Sequence, residues 1–237
     1  MQESVAAVIV AAGSSRRMEG RDKLWIPLAG RITLARTIDA FEASSLIDSI
    51  VLVLNEERIP DARALSQQEG WSKIASIVAG GPRRQDSVRI GLDTLAQVAP
   101  NSSWVMIHDG ARPLITPAIL EAGLKAAREY SAAIAGVPVK DTIKQVQQGL
   151  VQATLNRSQL WAIQTPQVFS FPLIHSAHHT PEALEDVTDD AALLERLGQR
   201  VAIFAGSYTN IKITTTEDLL IAEALLQQRG NSDMRTK

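Results

Sequence analysis

No cysteine occurs among the 237 residues, which excludes disulfides, thiolate-bound zinc and a cysteine nucleophile, and fits a reducing compartment. Any metal must therefore sit on oxygen or imidazole. No apolar run approaches the roughly 18 residues of a spanning helix, and residues 1–5 lack a basic start, so neither a membrane span nor a signal peptide is expected. A cytoplasmic location is the corresponding expectation. A surplus of positive charge is missing as well: 24 Lys+Arg face 26 Asp+Glu, for a formal net charge of −2. Dedicated nucleic-acid binders carry a basic excess, so no nucleic-acid partner is expected, and any phosphate must be gripped by local clusters.

Short β-branched runs alternate with longer stretches of helical periodicity, the pattern of a mostly parallel sheet covered by crossover helices. Strands are expected at residues 6–10, 50–54, 74–78, 104–108, 132–137 and 201–204. Leu34, Ile38 and Phe41 share one helical face, as do Val88, Leu92 and Leu95, while Thr116 followed by Pro117 marks a cap and first helical residue. Residues 140–155 differ. There Ile143, Val146 and Val151 surround Gln147, Gln148 and Gly149, which predicts a hairpin with a tight polar turn. A helix over 191–197 and a closing helix over 217–226, capped by Thr215 or Thr216, complete the chain, with a frayed tail from Arg229. No repeat or Pro/Gly-rich linker divides it. The expectation is one α/β domain, a three-layer sandwich over residues 1–228 with a protruding β-hairpin arm.

Ligands of open parallel sheets bind beyond the carboxyl ends of the strands. The first strand runs into Ala11, Ala12, Gly13, Ser14, Ser15, Arg16 and Arg17, then Lys23, a small-residue turn with cations where backbone N–H groups can cradle phosphate. It is neither a Walker loop nor a dinucleotide fingerprint. Taken alone, a tight turn followed by a solvated basic loop explains it equally well. A second glycine turn, Gly80 to Ser87 with Arg83 and Arg84, opens a helix, where Ser87 can cap the helix, contact a base edge or do both. The fourth long strand ends in His108, Asp109, Gly110, Ala111 and Arg112. Asp109 is placed to ligate Mg²⁺, a hard cation that takes one or two carboxylates plus phosphate oxygens, or to pair with Arg112 across the bend. Asp189 and Asp190 open a helix, where carboxylates suit the dipole, so Asp190 reads as structural. His175, His178 and His179 contain an i, i+4 pair but no evident third ligand, and are left outside the site as a hydrated surface cluster.

Taken jointly, AAGSSRRM, GGPRRQDSVRIGL, HDGARP, KDTIK, NRSQLWAIQTPQVF, TDDAALLERLG and NIKITTTEDL resemble the 2-C-methyl-D-erythritol 4-phosphate cytidylyltransferase family, over nearly the whole chain. The resemblance implies a Rossmann-like nucleotidyltransferase that joins CTP to methylerythritol phosphate with Mg²⁺, Mn²⁺ being the alternative ion. It also implies that residues 140–157 exchange as an arm in a homodimer. By the same resemblance Ala11, Ala12, Gly13, Ser14, Ser15 and Arg17 form the triphosphate loop, and Arg17, Lys23 and Lys212 are the catalytic cations. Gly81, Arg84 and Ser87 would read cytosine and ribose, and Asp109 would hold metal and ribose. Arg112, Thr142, Arg157, Thr165 and Thr188 would bind the sugar phosphate, with Thr142 and Arg157 reaching into the partner's site. A pentitol (ribitol) 5-phosphate cytidylyltransferase is the close alternative, and a catalytically silent nucleotide-binding module the alternative from a different class.

Overall fold

A computed structural model describes residues 3–13 and 22–235. A seven-stranded sheet forms its middle layer, in the order β11 (Ala202–Ala205), β7 (Ala132–Pro138), β10 (Trp161–Ser170), β6 (Trp104–Asp109), β1 (Val5–Ala11), β4 (Ser49–Leu54), β5 (Ile74–Ala79). Every pairing is parallel except those of β10, which runs antiparallel to both β6 and β7. The mostly parallel α/β sheet is therefore as expected, with one strand the sequence did not reveal. Thr165, Pro166 and Gln167 break the alternation of β10, and its pairing with β7 slips between Ile163 and Gln167. An interrupted pattern of that kind reads as loop, although its centre is buried.

β1 shows why the sheet is covered on both sides. Val5, Ala7, Ile9 and Ala11 join a core beneath α1 (Thr33–Glu42), α2 (Ile59–Glu69) and α4 (Pro117–Tyr130), while Ala6 and Val8 join a second core beneath α3 (Arg84–Val98), α5 (Phe171–Ala177) and α6 (Asp190–Arg196). Period-two side chains with both faces apolar can only be a middle layer. The expected helical faces are the buried ones: Leu34, Ile38 and Phe41 in α1, and Val88, Leu92 and Leu95 in α3. Thr116 and Pro117 stand at the N-cap and first turn of α4.

A two-residue ribbon, β2 (Pro27–Leu28) with β3 (Arg31–Ile32), follows the turn that carries Lys23. The expected hairpin is β8 (Lys144–Gln147) paired antiparallel with β9 (Leu150–Thr154). Gln148 and Gly149 form its two-residue turn, both with positive φ (51° and 80°), the primed geometry whose twist suits a hairpin. The closing helix, α7 (Thr216–Arg235), runs beyond the expected end. Arg229, expected in a frayed tail, donates through Nη2 to the Leu114 carbonyl and Thr209 Oγ1. It starts at Thr216, beside the expected cap Thr215, and the Asp218 carboxylate accepts from the Thr214 and Thr215 amides and from Thr214 Oγ1, so an acidic side chain within the first turn braces the entry. Among the described residues no helix is long and apolar enough to cross a membrane.

Candidate active site

The carboxyl ends of β1, β4, β5 and β6 open into a cleft of about 480 Å³, lined by Ala11, Ala12, Gly13, Lys23, Asn55, Gly81, Arg83, Arg84, Ser87, Asp109 and Lys212 among others. Nine residues anticipated from sequence are thus brought together from five segments. Ser14, Ser15 and Arg17 lie outside the described residues. Asn55, which follows β4, was missed; nothing in its local sequence distinguishes it from a polar loop residue.

The two glycine turns are locked to each other. A Cβ on Gly80 would collide with the Ala12 Cβ and come within 2.7 Å of Ser87 Oγ, so only glycine lets these loops touch. Ser87 does not cap α3 in the usual sense. Its Oγ accepts the Gly81 amide at 3.1 Å and faces the Arg83 carbonyl at 3.2 Å, folding the turn onto the helix. Arg83 and Asp86 form the capping box instead, and Arg83 reaches out to Asp186 at 2.8 Å. Of the two neighbouring arginines, Arg84 is the one that enters the centre.

Asp109 is the hub. Lys212 Nζ lies 2.9 Å from its Oδ2, Arg84 Nε 3.4 Å from Oδ1, and Arg112 Nε 3.5 Å from Oδ2. Burial by itself would raise the pKa of this carboxyl; the attraction of Arg84, Lys212 and Arg112 overrides it and holds the group well below the usual carboxylate range. The floor of the cleft is therefore an ionised carboxylate whose charge is exceeded by its cations.

Beneath Asp109 runs a closed chain of hydrogen bonds. The Asp109 amide donates to Thr165 Oγ1 at 3.0 Å, and that hydroxyl faces His108 Nδ1 at 3.1 Å. His108 Nε2 faces the Arg112 carbonyl, an acceptor only, so Nε2 carries the ring proton and Nδ1 accepts from Thr165. Burial lowers the His108 pKa from 6.5 to about 4, keeping the ring neutral in that role. Thr165, expected at the sugar phosphate, thus has its hydroxyl committed inward. Arg112 is also buried, with Nη1 on the Asn210 carbonyl at 2.8 Å. Asn210 in turn donates to the Thr165 carbonyl at 2.9 Å, which presents Lys212 two residues on.

Asp190 does more than open a helix. Its Oδ2 binds Arg84 Nη1 at 2.8 Å, and its Oδ1 lies 3.4 Å from Nε2 of His178. His178 is buried there rather than hydrated with its neighbours. Asp189 caps α6 by accepting the Ala192 amide, and Gln167 of β10 bonds Asp189 and the Asp190 amide, so the unexpected strand positions the anchor of Arg84. Thr142, Arg157 and Thr188 do not line this cleft. Thr142 and Arg157 stand exposed at the two roots of the hairpin, where Arg157 Nη1 donates to the Lys140 carbonyl at 2.8 Å, and Thr188 is exposed in the loop before α6.

A family model described as IspD, 2-C-methyl-D-erythritol 4-phosphate cytidylyltransferase, matches residues 5–228. A 2-C-methyl-D-erythritol 4-phosphate cytidylyltransferase of Dehalococcoides mccartyi (strain CBDB1) is 48% identical over 229 residues, covering 96% of this chain and 98% of its own length. One from Geobacter metallireducens is 43% identical, covering 95% and 99%. Among solved structures, 4-diphosphocytidyl-2C-methyl-D-erythritol synthase of Anaerococcus prevotii superposes with a TM-score of 0.84 at 34% identity, covering 95% of this chain and 99% of that one.

Proposed function

The chain belongs to the 2-C-methyl-D-erythritol 4-phosphate cytidylyltransferase family, and from that premise and the cleft we infer that it transfers CMP from CTP to 2-C-methyl-D-erythritol 4-phosphate, releasing pyrophosphate and 4-diphosphocytidyl-2-C-methyl-D-erythritol. The observation that carries the reading is Asp109 set among Arg84, Arg112 and Lys212 at the foot of two glycine turns. The acceptor already bears a phosphate oxygen with a lone pair, so no base is needed. That oxygen attacks the α-phosphorus of CTP, the new P–O bond forms as the bond to the β-phosphate breaks, and pyrophosphate leaves with the electron pair. Two anions must approach and a third must depart, so alignment and charge supply the catalysis.

Lys23 and Lys212 face the cleft and take up charge on the α-phosphate and the leaving group; Arg17 is proposed to join them. Ala11, Ala12 and Gly13, with Ser14 and Ser15, hold the triphosphate, while Gly81, Arg84 and Ser87 hold the nucleoside. Asp109 fits a hard divalent ion: it is ionised, an oxygen ligand, and its Oδ1 receives only the long contact from Arg84 among its ion pairs. Mg²⁺, or Mn²⁺ in its place, would be held by this carboxylate, as hard cations are by oxygen ligands. When bound there it supplies Lewis-acid charge to the triphosphate.

The hairpin supports the remaining proposal, that two copies exchange residues 140–157 as arms of one domain each. Val146, Leu150 and Val151 are 55%, 70% and 61% exposed, apolar side chains that their own chain leaves in water. Arg112, Thr142, Arg157, Thr165 and Thr188 would then frame the sugar phosphate across the two copies, with Thr165 acting through its backbone or through Asp109. Both substrates are intracellular phosphorylated metabolites, which favours a cytoplasmic location.

The test is pyrophosphate release from CTP with Mg²⁺, comparing 2-C-methyl-D-erythritol 4-phosphate, ribitol 5-phosphate and no acceptor. Release with the first alone is expected. Release only with ribitol phosphate would overturn the acceptor, and binding of CTP without release from either would make the chain a silent nucleotide binder.

A further inference from the structure

Outside the cleft, α3 and α5 meet through three side chains that the reaction above leaves unused. Asp93 projects from α3, His175 from α5, and His179 stands four residues on, where the chain still turns through bonds from the His178 and His179 amides to the Ile174 and Ser176 carbonyls. That spacing stacks both imidazoles on one side, with centroids 4.7 Å apart. Nε2 of His175 and Nε2 of His179 each lie 3.1 Å from the same oxygen, Asp93 Oδ1. All three ligand atoms fall within 4.8 Å of one another.

The hydrogen bonding of His179 decides what this arrangement requires. Its Nδ1 sits 2.8 Å from the His175 backbone carbonyl, which can only accept, so Nδ1 carries the proton. A neutral ring then aims the Nε2 lone pair at a carboxylate oxygen. Two acceptors so close repel unless a cation lies between them. A second proton on His179 would serve, and so would a metal ion. Convergence of the His175 nitrogen on the same oxygen gives a metal a third donor. Four-coordinate Zn²⁺, with bonds of about 2.0–2.1 Å, sets its ligand atoms about 3.3 Å apart, near the two nitrogen–oxygen separations of 3.1 Å already present.

We propose that Asp93, His175 and His179 form a second metal site, a two-histidine, one-carboxylate set with an open position, for Zn²⁺ or another imidazole-preferring first-row ion. The Nδ1 bond to His175 serves as the outer-shell contact that fixes ring orientation. Its donors differ from those around Asp109, which offers oxygen to a harder ion. A metal here ties α5 to α3, the helix whose first turn carries Arg84 and Ser87, so its effect falls on stability rather than on the reacting atoms.

The experiment uses the untagged full chain, stripped with chelator and titrated with Zn²⁺ against a chromophoric chelator, alongside Co²⁺ followed by visible absorption. One equivalent of Zn²⁺ is expected, with four- or five-coordinate Co²⁺ bands and a raised unfolding temperature. His179→Ala and the near-isosteric Asp93→Asn should each weaken binding by at least about tenfold, since even outer-shell partners are worth about 10–100-fold. Cytidylyl transfer by either variant with Mg²⁺ should stay unchanged and so report that it is folded. Absence of Co²⁺ bands, or Zn²⁺ binding that both variants retain in full, overturns the proposal.

Discussion

Lys23 reaches the cleft from a turn whose preceding residue, Asp22, accepts the Leu24 amide at 3.2 Å and pairs with Arg58 at 3.2 Å. A cation held on a braced turn can meet charge that develops only in the transition state. Lys23→Ala should therefore lower kcat on the order of 10²–10³-fold with the fold intact, as loss of a preorganised donor commonly does. Near-normal turnover would remove Lys23 from the catalytic set. Asp190 acts one step back, through Arg84. Because it is fully buried between Arg84 and His178, Asp190→Asn should cost roughly 3 kcal/mol in stability, the usual scale for breaking one side of a buried pair. It should also raise the KM for CTP more than it lowers kcat, and a variant with unchanged CTP affinity would make Asp190 purely structural. Lys23 was legible in sequence as a cation after a glycine turn. The second duty of Asp190 was not, since a helix-opening carboxylate already has a sufficient local explanation.

At the scale of elements, the hairpin and β10 make a useful contrast. The hairpin announces itself because both requirements are local: alternating apolar residues, and a Gln148–Gly149 turn that tolerates positive φ. β10 is held by β6, β7 and the bonds from Gln167 to α6, none of them near in sequence. Its existence is a tertiary fact. Arg157, at the root of the arm, is expected to serve the sugar phosphate of the second copy. Arg157→Ala should thus raise the KM for 2-C-methyl-D-erythritol 4-phosphate well above any change in that for CTP, measured by steady-state kinetics with each substrate varied. Equal rises would point to its bond with Lys140, and hence to arm geometry, as its whole contribution.

Across the whole molecule, the parts of the site rest on a core that encloses a titratable group. His108 is fully buried under the Asp109 turn against Phe41, with a pKa lowered from 6.5 to about 4. In the unfolded chain the same ring takes up its proton near the ordinary value. Stability linked to His108 is therefore complete above about pH 6.5 and is lost as pH falls through about 4, by an amount on the order of 3 kcal/mol. Asp86, Asp109, Asp190, Glu217 and Asp218 have lowered pKa values and lose their contributions at more acid pH. Denaturant unfolding at about pH 7 and pH 4.5 should show the decline, and His108→Gln, although less stable at pH 7, should show a flatter response. An equal slope in the variant would place the titrating group elsewhere. The sequence alone determined the alternation of strands and helices, the hairpin and the strand-end motifs, because each is written in local periodicity and turn chemistry. Only the tertiary structure decided that β10 splits the sheet, that Arg84 rather than Arg83 reaches Asp109, that Thr165 turns inward and that Asp93 joins two histidines. Each of those depends on which distant segments share a buried or crowded space, and a periodicity of two or 3.6 residues carries no record of that.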